Sequence, residues 1–320
     1  MPSLESWLTS QWYSAEKPNF ILRCLSFLYR FSLRFQKSQN TEKLGVPIIV
    51  VGNFTVGGTG KTPLILALLE QLKAHGFMPG VVSRGYARHS KSAISVVATT
   101  PVHEAGDEPL LIAKVANVPV RVDVNRKQAA QFLIEQGCTI IVSDDGLQHR
   151  NLPRNIEIEV VDHQRGYGNG MLLPAGPLRE PVRPVSMQVR NASAVDNEQS
   201  FAMHLQMQHC VQLNGFESLP LTHFSGQNVF ALAAIGYPQR FFNALKAFNI
   251  TVSGIALSDH QPITLNDFPA QGIVFITEKD AVKCTNIKRK DVWVVPVLAH
   301  LSNHFYDELF NKIGVAQGYV

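Results

Sequence analysis

The chain has 320 residues, of which 45% are apolar, 17% charged and 9% aromatic, with a formal net charge of +4. This composition excludes a disordered chain, a collagen-like repeat and a coiled coil, and the length allows about two domains of roughly 150 residues each. An excess of +4 spread over the chain is too small to support a nucleic-acid partner without a localised patch.

Cys24, Cys138, Cys210 and Cys284 are scattered, with no CxxC pair and no histidine at metal-ligand spacing, which argues against a disulfide framework or structural zinc and fits a reducing cytoplasm. Glu5, Glu16, Lys17 and Arg23 interrupt the N-terminus before an apolar run reaches signal-peptide length, and no stretch approaches the ~18 apolar residues of a membrane span. A soluble or peripheral protein is expected.

Residues 1–43 carry Lys17, Arg23, Arg30, Arg34, Lys37 and Lys43 against Glu5, Glu16 and Glu42, so +3 of the net +4 lies there, together with 8 of the 28 aromatic residues. From Phe20 to Phe35 the apolar residues Ile21, Leu25, Leu28, Phe31 or Leu33, and Phe35 recur at roughly helical spacing, flanked by Arg23, Arg30 and Arg34. Tryptophan and tyrosine suit the wet edge of a bilayer and arginines suit anionic head groups. Two readings stay open: a membrane-surface helix, or an amphipathic helix packed on the domain behind it.

Pro47 to Gly52 reads as a buried parallel strand. Directly after it come Thr55, Val56, Gly57, Gly58, Thr59, Gly60, Lys61 and Thr62, then an apolar helical pattern through Leu64, Leu68, Leu69 and Leu72. Strand, glycine-rich loop and helix follow in the order a P-loop needs. The glycines let backbone N–H groups curl around phosphate oxygens, Lys61 can reach the β- and γ-phosphates, and Thr62 can ligate Mg²⁺. Thr55 stands where the common motif has its first glycine.

Further strands are expected at Gly80 to Ser83, Ile94 to Ala98, Val118 to Val122 and Ile156 to Val161, with helices around Glu108 to Ala116 and Asn125 to Gln136. Gly106-Asp107-Glu108-Pro109 opens the first of these helices. Asp107 is placed there as an N-cap, and it is also a carboxylate able to take a proton from a substrate hydroxyl. The strand Thr139 to Val142 ends in Ser143-Asp144-Asp145-Gly146, at the strand edge that faces the P-loop crevice, so Asp144 and Asp145 are candidates for the metal and the reacting phosphate. Adjacent residues on a strand point to opposite faces, so one direct contact is expected unless the chain has already turned. Gln148 and His149 follow with no assigned role.

Arg165 to Glu180 is loop, and its Gly-x-Gly-x-Gly lacks the strand-to-helix junction of a dinucleotide site. From Phe201 to Leu213 the apolar residues alternate at strand period, and Val229 to Ile235, Pro238 to Phe248, Gly272 to Ile276 and Asp280 to Lys283 restart an α/β pattern, with Thr277 and Asp280 at capping-box spacing. The expected architecture is α/β: a P-loop NTPase-like, doubly wound, mainly parallel sheet with a second, smaller α/β domain and a β-strand linker. The boundaries are 1–43 for the amphipathic membrane-associating segment, 44–200 for the P-loop domain, 201–224 for the extended linker and 225–320 for the smaller domain, whose C-terminal tail can pack back on the first.

Taken together, Gly52 to Pro63, Ser83-Arg84-Gly85-Tyr86, Gly106 to Pro109, Asp144 to His149 and Leu173 to Glu180 resemble the tetraacyldisaccharide 4′-kinase (lipid A 4′-kinase) family of Gram-negative bacteria. The likeness continues in Ile235 to Phe242, Asp259-His260 and Thr277 to Lys283, in the family's order over nearly the whole chain. Threonine at position 55 is itself part of the family's pattern.

The resemblance implies transfer of the γ-phosphate of ATP to the 4′-hydroxyl of a tetraacylated glucosamine disaccharide 1-phosphate, giving lipid IVA, at the cytoplasmic face of the inner membrane and with no obligate protein partner. It implies nucleotide binding by residues 55 to 62, with Lys61 and Thr62 on the phosphates and Mg²⁺. Asp107 becomes the base, oriented or tuned by His260, and Asp144 and Asp145 serve the metal and the reacting phosphate. Ser83, Arg84, Tyr86, Arg179 and Glu180 become supporting substrate or phosphate contacts. If His260 meets Asp107, the active site lies between the domains, where hinge closure on ATP and lipid is expected. The competing classes are a P-loop ATPase or GTPase switch, which would release phosphate without an acceptor, and a noncatalytic membrane adaptor, which leaves the acidic clusters unexplained.

Overall fold

The apolar run after Gly45 forms β1 (Ile48–Gly52), and all five of its residues are buried, as expected of a strand covered by helices on both faces. In the computed structural model, residues 4–14, 16–35, 42–86, 88–191 and 200–318 are described. Lys37, counted in the basic N-terminal stretch, lies outside them.

Two helices, α1 (Leu4–Trp12) and α2 (Phe20–Leu33), precede β1, and the P-loop leads from β1 into α3 (Lys61–Ala74). Next come β2 (Pro79–Ser83), β3 (Ile94–Val96), α4 (Val102–Ala105), α5 (Asp107–Ala116), β4 (Val120–Val122), α6 (Arg126–Glu135), β5 (Ile140–Ser143) and β6 (Ile156–Asp162). A long loop then leads to β7 (Met187–Asn191) and β8 (Ser200–Gln206). The second domain contains β9 (His209–Gln212), β10 (Ser218–Pro220), β11 (Asn228–Ala233), α7 (Pro238–Lys246), β12 (Thr251–Ala256), β13 (Val274–Thr277), α8 (Glu278–Ala281) and β14 (Val292–Val295). The chain ends in β15 (Leu298–Leu301) and α9 (Asn303–Gln317).

The first sheet has nine strands in the order β15-β8-β7-β6-β1-β5-β2-β4-β3. Its seven inner strands are parallel, and β3 and β15 are antiparallel at the two edges. β1 lies between β5 and β6, where the strand order reverses, so the P-loop opens into the crevice expected at such a switch point. The second sheet runs β10-β9-β14-β13-β11-β12.

The segment 201–224 is not a free-standing linker. Its first part, β8, pairs in parallel with β7 in the large sheet, while β9 and β10 join the small one. The C-terminal end likewise returns: β15 pairs with β8, and Phe305, Leu309 and Ile313 of α9 are buried in the same core as Leu64, Leu68 and Leu72 of α3. The chain therefore crosses between domains twice, at 207–208 and 296–297, each time between two paired strands. The physical reason is that an isolated strand exposes unpaired backbone groups, which pairing with β7 and β14 satisfies.

Most of the apolar stripe of α2 faces away from the domain behind it. Ser26 and Leu33 are buried, whereas Phe20, Ile21, Leu25, Phe27, Leu28, Phe31 and Phe35 are exposed. On its inner face Leu33 and Tyr29 pack into the core that holds Leu172 and Leu178, and polar bonds run from Ser26 Oγ to the Leu172 carbonyl at 2.9 Å and from the Tyr29 hydroxyl to the Arg179 carbonyl at 2.7 Å. Among the described residues no helix is long and apolar enough to cross a membrane.

Candidate active site between two domains

The P-loop begins in an extended conformation, which explains the threonine at its first position. Thr55 forms an antiparallel bridge with Leu178, its carbonyl accepts from Asn53 Nδ2 at 2.6 Å, and Val56 N–H donates to the Pro177 carbonyl at 2.9 Å. The left-handed turns come later, at Gly57 (φ 106°) and Gly60 (φ 97°), where glycine is needed. A side chain at Gly60 would also come within 3.2 Å of Met203 on β8, which floors the loop. Lys61 Nζ donates to Asn53 Oδ1 at 2.9 Å and lies 3.3 Å from Asp145 Oδ1.

Both aspartates at the end of β5 reach the cleft. The strand stops at Ser143, and Asp145 adopts a left-handed backbone (φ 47°), so the alternation expected of a continuing strand no longer applies. Asp145 joins Lys61 to Arg179, whose Nη1 donates to Oδ2 at 2.7 Å. Burial would raise the Asp145 carboxyl, but the charges of Lys61 and Arg179 outweigh it and hold it well below the ordinary carboxylate range. Asp144 is buried deeper and accepts from Ser83 Oγ at 3.1 Å, while its Oδ1 has no hydrogen-bond partner among the described residues. Burial first, then the negative charges of Glu108 and Asp145, push it up to about 7. Two adjacent carboxylates are thereby driven to opposite protonation behaviour.

Asp107 is the first residue of α5 and not its N-cap, a position taken by Gly106. The turn between α4 and α5 thus leaves the Asp107 carboxylate facing the second domain. His260 meets it there, with Nδ1 2.9 Å from Oδ2 and 3.1 Å from Oδ1. His260 also has a left-handed backbone (φ 60°), a conformation it shares among the described non-glycine residues with Asp145, Asn117 and Asn249. Asparagine adopts this region readily in turns, whereas strain at Asp145 and His260 falls on two residues of the site. The Tyr86 ring, otherwise exposed, packs on the His260 ring with centroids 4.9 Å apart.

Lys61, Tyr86, Asp144, Asp145, Arg179 and His260 line one cleft of about 1260 Å³ between the domains, which also takes in Arg84, Glu180 and the residues from Val56 to Thr62, while Asp107 is buried against His260. Glu180 is buried, accepts from Gln148 Nε2 at 3.1 Å and lies 3.6 Å from Arg150. His149 is driven down to about 4, by burial first and then by Arg126, Arg154 and Arg84. The site also includes residues to which the sequence patterns gave no role. Arg126 is buried and donates to the Asp145 carbonyl at 2.8 Å, and Gln148 ties Glu180 to the Asn53 carbonyl. From the second domain, Gly236 sits so close to the P-loop that a side chain there would lie 3.1 Å from Gly58 N. Arg240 of the same domain pairs with Asp162. Arg126 follows Asn125, whose capping side chain is the only local signal at that helix start. Gly236 had no signal beyond its place in the family-like stretch.

A P-loop, two carboxylates beside its lysine and a carboxylate–histidine pair facing it across a cleft define a P-loop phosphotransferase. Residues 18–314 match the family described as tetraacyldisaccharide-1-P 4′-kinase. Proteins named tetraacyldisaccharide 4′-kinase from Stenotrophomonas maltophilia and Xanthomonas euvesicatoria are 44% and 41% identical, over 94% and 96% of this chain and 95% and 96% of their own. A crystal structure of LpxK from Aquifex aeolicus in complex with ATP superposes with a TM-score of 0.76 at 28% identity, covering 91% of this chain and 98% of that one. The chain belongs to the tetraacyldisaccharide 4′-kinase family, and it is an ATP-dependent kinase of lipid A biosynthesis.

Proposed function

We propose that the interdomain cleft transfers the γ-phosphate of ATP to the 4′-hydroxyl of a tetraacylated glucosamine disaccharide 1-phosphate, with Asp107 as the base. The observation that carries the assignment is the 2.9 Å contact of His260 with Asp107, made across the cleft that also holds the P-loop.

Residues 55 to 62 wrap the nucleotide phosphates, and Lys61 neutralises the β- and γ-phosphates. Asp145 keeps Lys61 and Arg179 pointed into the cleft, so both cations are in place before the phosphates arrive. Thr62 and Asp144 would hold Mg²⁺; the unpartnered Oδ1 of Asp144 fits a cation, and the ion supplies charge neutralisation on the phosphates. Ser83 orients Asp144. As the acceptor oxygen approaches phosphorus, its proton passes to Asp107, and the His260 ring shares it. A loose transition state asks for deprotonation late, so a carboxylate of ordinarily low basicity suffices. Arg84, Tyr86 and Glu180, at the cleft wall, contact the acceptor sugar.

The same reading places the enzyme peripherally on the cytoplasmic face of the inner membrane, where ATP and the lipid meet. Its support is the outward apolar face of α2, flanked by Arg23, Arg30 and Arg34. Incubation with labelled ATP and either the dephospho disaccharide lipid or water alone tests the reaction. Label on the lipid is expected, and acceptor-independent phosphate release without lipid labelling would refute it.

A further inference from the structure

Among the described residues of its own domain, the Asp107 carboxylate receives one hydrogen bond, from the Glu108 backbone N–H at 3.0 Å. Among the described residues, the basic side chains that reach it come from the second domain. Besides His260, the ammonium groups of Lys279 and Lys283 each lie 3.8 Å from Asp107 Oδ2. Lys279 lies in α8 and Lys283 two residues beyond its end, and both side chains reach the same carboxylate oxygen.

Each lysine is held in place by other groups. Lys279 Nζ donates to Glu108 Oε1 at 3.1 Å and lies 3.7 Å from Asp259 Oδ1. Lys283, with 3% of its side chain exposed, donates to the Ala234 carbonyl and to Asp280 Oδ1, both at 3.0 Å. Asp280 is in turn fixed by Thr277 Oγ1 at 2.7 Å and by the Ala234 N–H at 3.2 Å. Tyr86 covers the His260 ring and brings no charge of its own to the carboxylate.

Asp107 is 5% exposed and shares Lys279 with the carboxylates of Glu108 and Asp259, surroundings in which a carboxylate without cations takes up a proton. Burial would push Asp107 up, but the His260 hydrogen bond and the charges of Lys279, His260 and Lys283 outweigh it and leave the carboxyl below its ordinary value. Neither lysine is needed to touch substrate for this effect.

We propose that Lys279 and Lys283 are positioning residues for the base: through them the docked second domain keeps Asp107 ionised and oriented, so that the base is competent only while the two domains are together. This rests on Asp107 being the base. In the transfer the acceptor oxygen bonds to the γ-phosphorus as its bond to the β–γ bridging oxygen breaks, ADP leaves, and the hydroxyl proton goes to Asp107. A carboxyl that is already protonated has no place for it.

The test measures kcat against pH, and KM for ATP, on the full chain with the acylated disaccharide acceptor. Lys279→Met and Lys283→Met are each expected to lower kcat near neutral pH by about tenfold or more, with KM for ATP within about twofold, and to move the acidic limb of kcat up by about one pH unit. Lys279→Arg is expected to keep the limb in place. Because Lys283 is buried against Asp280, the double variant Asp280→Asn/Lys283→Met, which removes both charges, must show the same moved limb. An unmoved limb in the methionine variants overturns the proposal whatever their loss of turnover, since a merely structural role lowers kcat at every pH. Asp107→Asn separates the two readings. If that variant is inert while the limbs stay put, the lysine role alone fails; if it turns over at the wild-type rate, the base assignment falls and the lysine role with it.

Discussion

The hydroxyl of Tyr29 donates to the backbone carbonyl of Arg179 at 2.7 Å, and the Arg179 guanidinium pairs with Asp145 at the same distance. A helix with an exposed apolar face is thereby fastened to the backbone of a residue whose side chain reaches the phosphate site. Trp12 Nε1, on α1, fastens the same loop through the Pro174 carbonyl at 2.8 Å. Tyr29→Phe removes one bond worth about 1 kcal/mol without opening a cavity. The expected outcome is a fall in kcat/KM for vesicle-borne acceptor of about fivefold, with KM for ATP within about twofold. Steady-state rates with each substrate varied in turn check it; an equal loss with both substrates would detach α2 from acceptor handling.

Asp107→Ala removes the proposed base and leaves the P-loop intact. Turnover is expected to fall by about 10²- to 10⁴-fold, the range of positioned general bases, with little change in ATP affinity. Single-turnover rates together with nucleotide titration distinguish the two quantities, and unchanged turnover would refute the assignment.

The nucleotide half of this site was legible because its signals are local. β1, the glycines and α3 are contiguous, and β5 ends in its two aspartates within one short stretch. The pairing of Asp107 with His260 spans 153 positions and depends on how the second domain docks, so only the family likeness pointed to it. Lys279 and Lys283 stood in a family-like motif but gained a role only when the fold brought them against Asp107. The weakest signals were at sheet edges. β12 has four of its six residues exposed and carries Gly254, which blurs any alternation. α9 does carry local marks, a Ser302 cap and Phe305, Leu309 and Ile313 at four-residue spacing, yet nothing local says that it returns to the first core. For α2 the periodicity was plain, but periodicity alone does not tell which side of a helix meets the protein.

Asp144 gives a pH dependence whose sign is set by burial. Its folded value of about 7 lies above the roughly 3.9 of an unfolded aspartate, so the folded state holds the proton more tightly. The resulting stabilisation is complete below about pH 4 and is lost as the pH rises through about 7. Metal-free protein near pH 8 therefore carries an ionised buried carboxylate, and Asp144→Asn is expected to raise its melting temperature by several degrees there, with a much smaller difference near pH 4. Added Mg²⁺ at about pH 8 should raise the wild-type melting temperature and leave the variant unmoved. Scanning calorimetry at the two pH values reads both effects; a variant that melts lower than wild type near pH 8 contradicts the argument.

The outward face of α2 makes the membrane reading testable without disturbing the fold. Deleting residues 1–36 would also remove the Trp12 and Ser26 bonds to the 172–174 segment, so point substitutions are cleaner. Phe27 and Leu28 are 71% and 63% exposed, and a Phe27→Asp/Leu28→Asp variant should melt within about a degree of wild type, since neither side chain contributes to a core. Each apolar side chain withdrawn from a lipid interface forfeits up to about 1.5–3 kcal/mol, so partitioning onto anionic vesicles is expected to fall by more than about tenfold. Replacing Arg23, Arg30 and Arg34 with glutamine should weaken binding to anionic vesicles and flatten its salt dependence, while leaving the weaker binding to neutral vesicles unchanged. Vesicle flotation across a salt series separates the two contributions. Undiminished flotation of the aspartate variant would mean that the exposed stripe meets something other than lipid.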